Sequence, residues 1–274
     1  EEICTMDKLA KIIREKRMKN GALNIESTEV KFIVNEHGKP TGVKLKQSKD
    51  AHKLVEEFML LANKNVARLL GKREKGVAKY PSIYRVHDNP SAAKLNDLNL
   101  FVTDLGYEIK EVKDKPISFA LNNLLTEAKE NHELNFIGPM VIRSMAKAEY
   151  TSDNIGHYGL AFDYYTHFTS PIRRYPDLML HRILQNFLDK KKPKLSEREI
   201  EDQSKYFSQQ EKKATDAERA SIKFMQVVFM EDKVGQEFAG TISGVTKYGI
   251  FVEVNSNKCE GLIRTNAISQ DRFF

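Results

Sequence analysis

Hydrophobic positions recur along this chain with two different periods, and the change from one to the other divides it. Near the start, Leu9, Ile12 and Ile13 fall at helical spacing and Gly21 follows, which predicts a helix over 7–19 with that trio on its buried face. Residues 23–34 alternate loosely and end in Val30, Phe32 and Val34. NEHGKP then turns the chain into Gly42-Val43-Lys44-Leu45-Lys46, the pattern of a hairpin with Gly38-Lys39-Pro40 at its turn. A long amphipathic helix follows from Asp50, its N-cap, to Leu70, with Leu54, Phe58, Leu61 and Leu69 as its stripe. SIYRVHD (82–88) reads as a short extended segment. Asn89-Pro90-Ser91 opens a helix through Leu95, Leu98, Phe101 and Leu105 that Gly106 closes. Further helices are expected over 117–130, 134–148, 177–189 and 196–231, the last two joined by the basic turn Lys190–Lys194. Near Lys233 the period drops to two, as in Gly249-Ile250-Phe251-Val252-Glu253-Val254. The expected class is therefore α+β, helices packed on sheet over 1–233 and a β-rich module over 234–274. No internal repeat and no low-complexity segment interrupts it.

Composition narrows the partners. With 274 residues, 41% hydrophobic and 30% charged, the chain can bury a core of one or two domains and is not of disordered type. Lys and Arg outnumber Asp and Glu by 44 to 38, giving a net charge of +6. That balance suits a polyanion such as nucleic acid, although many soluble proteins share it, so the chemistry has to come from motifs. The two cysteines, Cys4 and Cys259, lie far apart, which excludes a disulfide framework or a C-x-x-C zinc site and fits a reducing cytoplasm. No apolar run approaches the roughly 20 residues that cross a bilayer. The chain begins Glu-Glu-Ile-Cys without an initiator Met, so it is expected to be a piece of something longer.

The densest chemistry lies in HFTSPIRRYPDLMLHR, residues 167–182. Proline is tolerated in the first turn of a helix and resisted inside it, so Pro176 places the helix start at Tyr175–Pro176, with Thr169–Arg174 as the loop before it. The other placement sets Ser170 as N-cap and Pro171 at N1. Either way, two hydroxyls and two guanidiniums crowd a helix start, where free N–H groups and the dipole favour an anion. The planar fork of arginine suits phosphate. Asp177 and His181 sit one turn apart, so Asp177 could equally orient an arginine, and an Arg–Asp network that only pins the helix is the plainer reading.

GHYGLAFDYYTHFTSPIRRYPDLMLHR closely resembles the signature of the RNB family of 3′→5′ exoribonucleases, the RNase II and RNase R group, with the RNase R branch nearer. DAHKLVEEFMLLANKNVARLL (50–70), YRVHDNPS (84–91) and RSMAKAEY (143–150) resemble that family in order and spacing. The resemblance implies the C-terminal part of an RNB catalytic domain over 1–233, acting on single-stranded RNA threaded into a channel and releasing 5′-nucleotides with Mg²⁺. It implies that Arg173 contacts the phosphate at the reacting end. Arg174 adjoins it, and His167, Thr169, Ser170 and Tyr175 flank it as RNA-binding candidates. Glu56 and Glu218 match acidic residues near the channel end; their plainer reading is exposed helix charge. The expected partner is single-stranded RNA, in the cytoplasm, with no membrane and no second subunit.

Hydrolysis with Mg²⁺ needs clustered carboxylates. The family's aspartate pattern, D-x-x-x-x-x-D-x-D-D, has no match in this chain, and the acidic pairs Glu201-Asp202 and Glu231-Asp232 read as solvated helix charge. The Mg²⁺ ligands are thus expected outside this chain, with no metal-ligating residue assigned within it. In GALNIESTEVKF the family's clamping aromatic is replaced by Asn24 or Ile25. GTISGVTKYGIFVEVNSNKCEGLIRTNAI resembles the start of an S1-type OB-fold, a β-barrel that binds strands through aromatic and basic groups. In that fold Lys247, Tyr248, Phe251 and Arg264 fall at or beside RNA-contacting positions, although Tyr248 and Phe251 could instead be barrel core. About three strands' worth of sequence follows, so an incomplete barrel is expected. The resulting expectation is the RNA-holding portion of an exoribonuclease that is inactive alone; the alternative is a naturally truncated, non-catalytic RNA-binding protein.

Overall fold

Helices fill most of the chain and short antiparallel ladders its end, as the α+β class requires. The computed structural model describes residues 1–25, 29–46, 48–71, 73–74, 77–78, 80–131 and 133–268. Positions 26–28 of the expected alternating stretch, and 269–274, lie outside the described residues. Two compact units emerge: Glu1–Asn24, Lys49–Glu127 and Val141–Lys213 form one, and Ile25–Ser48, Ala128–Met140 and Ala214–Phe274 the other.

In the first unit, α1 spans Glu2–Lys19 and α2 Asp50–Leu70. The buried face of α1 is not the expected one: Leu9 and Ile12 are 46% and 62% exposed, while Ala10 and Arg17 are buried. Arg17 is the reason. Its guanidinium forms an ion pair with the buried carboxylate of Glu57, Nε lying 3.3 Å from Oε2. Neither charge tolerates burial unpaired, so the pair sets the rotation of α1 and turns Leu9 and Ile12 outward, leaving Ile13 half-buried. The same effect turns α2. Glu57, Leu60, Asn63, Ala67 and Leu70 are buried, whereas the expected Leu54, Phe58, Leu61 and Leu69 are only half-buried. Lys49, not Asp50, holds the N-cap position.

After α2 come two-residue strands β3 (Arg73–Glu74) and β4 (Val77–Ala78); β1 and β2 belong to the second unit. Strand β5 (Tyr84–Val86) pairs antiparallel with β6 (Glu149–Thr151). Helix α3 runs Ala92–Asp104, with the Ser91 hydroxyl accepting from the Lys94 N–H at 3.4 Å and Gly106 at φ 87° just beyond its end. Helix α4 spans Ile117–Glu130 and α5 Leu134–Ser144. The last stops short of 148 because 149–151 are taken into β6. Helices α6 (Tyr175–Leu188) and α7 (Glu197–Glu231) complete the set, and Ile83, Tyr150, Met179, Ile200 and Phe207 form a core cluster beneath the β5–β6 pair.

In the second unit, β1 (Glu29–Val34) and β2 (Pro40–Lys46) form the expected hairpin, with Gly38 at φ 75° in its turn. It packs on the later part of α7 through Phe32 and Phe229, whose ring centroids are 6.0 Å apart, and through Lys39 and Asp232 at 2.7 Å. Strands β7 (Gly240–Thr246), β8 (Gly249–Val254) and β9 (Glu260–Arg264) make an open antiparallel sheet, followed by the one-turn helix α8 (Thr265–Ile268).

Candidate functional site

The segment before α6 is anchored from three sides before it reaches its arginines. The Arg85 N–H donates to the Tyr165 carbonyl at 3.0 Å, and the Thr166 hydroxyl donates to the Ile83 carbonyl at 2.7 Å. Buried Asn63 works with both ends of its amide: Nδ2 donates to the Tyr165 hydroxyl at 3.2 Å and Oδ1 accepts from the Phe168 N–H at 3.0 Å. His181 on α6 donates from Nε2 to the Phe168 carbonyl at 2.8 Å, and the two rings stack at 3.9 Å. The signal for Asn63 was present in the sequence as an amide inside an apolar helix face.

Beyond Phe168 the chain turns. The N–H groups of Arg173 and Arg174 both reach the Ser170 carbonyl, at 3.3 and 3.1 Å, and α6 begins at Tyr175 with Arg174 as N-cap and Pro176 in its first turn. Of the two placements the sequence left open, this is the Tyr175–Pro176 start; Ser170 heads a turn. Asp177 ties it together. Fully buried, its Oδ2 accepts from the Ser170 N–H at 2.8 Å and from Arg174 Nη2 at 2.9 Å. The Arg–Asp network of the plainer reading is thus present at Arg174. Arg174 is spent on Asp177, whereas Arg173 is exposed and its guanidinium has no partner among the described residues. Asp177 Oδ1, Arg174 Nε and the Thr169 hydroxyl are buried without hydrogen-bond partners. Ser170 is half-buried, and Tyr175 is 54% exposed with its ring 5.6 Å from Phe207.

Behind the loop runs a row of rings that apolar periodicity cannot reveal. His87, His157, Tyr165, His167 and Tyr150 follow one another at centroid separations of 5.1 to 5.7 Å. Tyr150 Oη lies 2.7 Å from His167 Nδ1, and Arg85, ion-paired with Glu211 at 2.5 Å, sits 4.7 Å over the Tyr150 ring. Burial drives the His167 pKa down to about 2, helped by the nearby Arg174 and Arg85 charges. Burial likewise takes His157 down to about 3 and pushes Tyr150 up to about 12. At neutral pH His157 and His167 are therefore uncharged and add no positive charge beside the arginines.

Glu56 is exposed on α2, 3.9 Å from Arg17, and its neighbour Glu57 is the buried partner of that arginine. Glu218 is exposed on the stretch of α7 that belongs to the second unit. Asp177 is a single carboxylate with one oxygen already committed, and among the described residues no three acidic, histidine or cysteine side chains converge as metal ligands. The loop does not fit Mg²⁺ by itself.

In the second unit, Lys247 and Tyr248 occupy the β7–β8 turn, with the Lys247 ammonium 5.1 Å from the Tyr248 ring centre and Tyr248 67% exposed. Register pairs Gly249 with Arg264 and Phe251 with Leu262. Directly paired residues of an antiparallel ladder share a face, so Phe251, half-buried, and Arg264, exposed, lie on the same side of the sheet. Gly249 allows this closure: at φ 148°, a Cβ there would lie 2.1 Å from the Ile263 carbonyl oxygen.

Residues 1–190 match the RNB domain and residues 231–273 the S1 RNA binding domain. Ribonuclease R of Aquifex aeolicus is 34% identical over all of this chain, which covers 38% of that relative; for Ribonuclease R of Escherichia coli the figures are 35%, 97% and 33%. The chain thus spans between a third and two-fifths of the length of these relatives. Mycoplasma genitalium RNase R in complex with ribose methylated single-stranded RNA superposes with a TM-score of 0.88 at 29% identity, over 99% of this chain and 42% of that one. Yeast Ssd1, a pseudonuclease, shares the fold at 17% identity and a TM-score of 0.70, covering 96% of this chain and 33% of its own.

Proposed function

The chain belongs to the RNB family, and from that premise we propose that its loop 167–177 holds a phosphate of single-stranded RNA at the end where 3′→5′ exoribonucleolytic cleavage occurs. The observation that carries this is the division of labour between adjacent arginines. Arg174 and Asp177 lock the turn, and Arg173 is left charged, exposed and unpaired on a rigid base. A guanidinium so placed offers two parallel N–H donors to a phosphate and would stabilise charge developing on its oxygens. His167, neutral, supports the loop without adding charge. Thr169, Ser170 and Tyr175 are proposed to contact the neighbouring nucleotide, and Glu56 to lie along its approach. The β7–β9 sheet, an S1-type module beginning near residue 234, is proposed to take the strand across Tyr248, Phe251, Arg264 and Lys247 by stacking and phosphate contact.

Mg²⁺ would supply charge neutralisation and an oriented water, and the residues present do not fit it. We propose that its carboxylates lie outside these 274 residues, since the sequence carries no D-x-x-x-x-x-D-x-D-D. The chain then binds RNA and releases no nucleotide unaided. The test supplies labelled single-stranded RNA with Mg²⁺ and follows both anisotropy and product. Binding without product is the expected result, and Arg173→Ala weakens it by roughly 10- to 100-fold, the worth of one charge-assisted contact. Robust nucleotide release would overturn the claim about the missing carboxylates, and unchanged binding by Arg173→Ala would overturn the assignment of the loop.

A further inference from the structure

Helix α6 presents a second side. Asp177 and His181 face the loop, whereas Tyr175, Met179, Arg182, Ile183 and Asn186 recur on the other side at the helical period. That side lines a cavity of about 580 Å³, within the ~300–1,000 Å³ span of small-molecule sites. Met179, Ile183, Leu195 and Ile200 give it an apolar floor. Three amides line it as well: Gln185 donates to Asp189, also at the cavity, at 2.7 Å, while the side chains of Asn186 and Gln203 are not hydrogen-bonded among the described residues. Arg182, Lys191 and Lys194 rim it. Lys191 is paired with Asp189 at 2.7 Å, while Arg182 and Lys194 have no acidic partner among the described residues. The rim is fixed in place: the Tyr80 hydroxyl donates to the Lys191 carbonyl at 2.6 Å, and the Lys191 N–H donates to the Asn186 carbonyl at 2.9 Å.

An apolar floor, unpaired amides and a cationic rim are complementary to a heterocyclic base joined to a phosphate. The amides match the adjacent donor and acceptor of a base edge, whereas a peptide backbone points its N–H and C=O in opposite directions and meets them less well. We propose that this cavity binds a nucleotide unit, its base on Met179 and Ile183 with its edge to Asn186 and Gln203, and its phosphate on Arg182 and Lys194. The cavity adjoins the Arg173 loop through Tyr175, and its other lining residues are not those of the loop. The unit is either a free 5′-mononucleotide or an internal nucleotide of an RNA strand.

Methyl-labelled chain reports on the floor through the Ile183 and Met179 resonances. Titration with 5′-AMP is expected to shift both saturably, adenosine at least tenfold more weakly, and R182E/K194E to weaken the 5′-AMP response at least tenfold. Arg182→Lys should restore it to within a few-fold. Arg173→Ala should leave these shifts in place while removing RNA binding at the loop, so that failure of either site is seen separately. An oligoadenylate blocked by a 3′-phosphate that moves the same methyls identifies the strand as the source; a response to 5′-AMP alone identifies the free nucleotide. The proposal is overturned if neither ligand moves these methyls at about 1 mM, or if R182E/K194E leaves the response unchanged. It is also overturned if only a Glu–Leu peptide moves them, which would make this a protein-docking groove.

Discussion

Arg173 and Arg174 are neighbours of the same type whose removal has opposite signatures. Arg173→Ala leaves the fold intact and reduces the salt dependence of RNA binding by about 0.7 in log–log slope, the share of one single-strand phosphate contact. Anisotropy titrations at several salt concentrations measure it. Asp177→Ala instead strips the half-buried Arg174 guanidinium of its counter-charge and the Ser170 N–H of its acceptor. We expect a loss of about 3–5 kcal/mol in unfolding free energy, read by urea denaturation, because a broken buried pair leaves a charge uncompensated. Conservative Arg174→Lys should also destabilise, since the ammonium cannot reproduce the fork.

At the level of elements, the buried Arg17–Glu57 pair decides how α1 and α2 face each other. Glu57→Ala should cost about 3–5 kcal/mol, whereas the double replacement Arg17→Met with Glu57→Leu should fall close to the original stability, because two charges no longer need to be buried. Denaturant midpoints of the three chains distinguish this from simple loss of packing. Lys190 gives a second case. It closes α6 in the left-handed region, at φ 55°, with the hydrogen bonds of Lys190 to Phe187 and Lys191 to Asn186 that a helix-ending glycine normally makes. Lys190→Gly is expected to stabilise by about 1 kcal/mol by removing that strain. These cases also show what the sequence could and could not disclose. Helix ends marked by Ser91, Gly106 and Pro176, and the hairpin marked by Gly38, were legible, because each depends on one residue's backbone preference. The rotation of α1 and α2 was not, because Arg17, Glu57 and Asn63 are scored as polar yet are buried with partners far away in sequence. The crowding of two arginines and two hydroxyls at a helix start was legible, but which arginine is free depends on Asp177, and both roles had fitted its spacing.

Across the first unit, the buried histidines set its response to acid. His157 and His167 have native pKa values far below the ordinary 6.5, so below that pH the unfolded chain takes up protons that the folded one refuses. Stability should therefore be level above pH 6.5 and fall on acidification by about 1.4 kcal/mol per pH unit for each histidine, until the native values near 3 and 2 are reached. Urea unfolding at pH 7.5, 6 and 5 checks the slope, and His157→Gln with His167→Gln should flatten it. These two uncharged histidines have a consequence for how any assay of the loop is read. Between pH 5 and 9 an arginine and a phosphodiester keep their charge, and the buried His157 and His167, with native values of about 3 and 2, stay neutral. In the role proposed for the loop these two histidines add no pH dependence to its contact with RNA over that range, so a loss of binding that tracks the loss of stability reports unfolding.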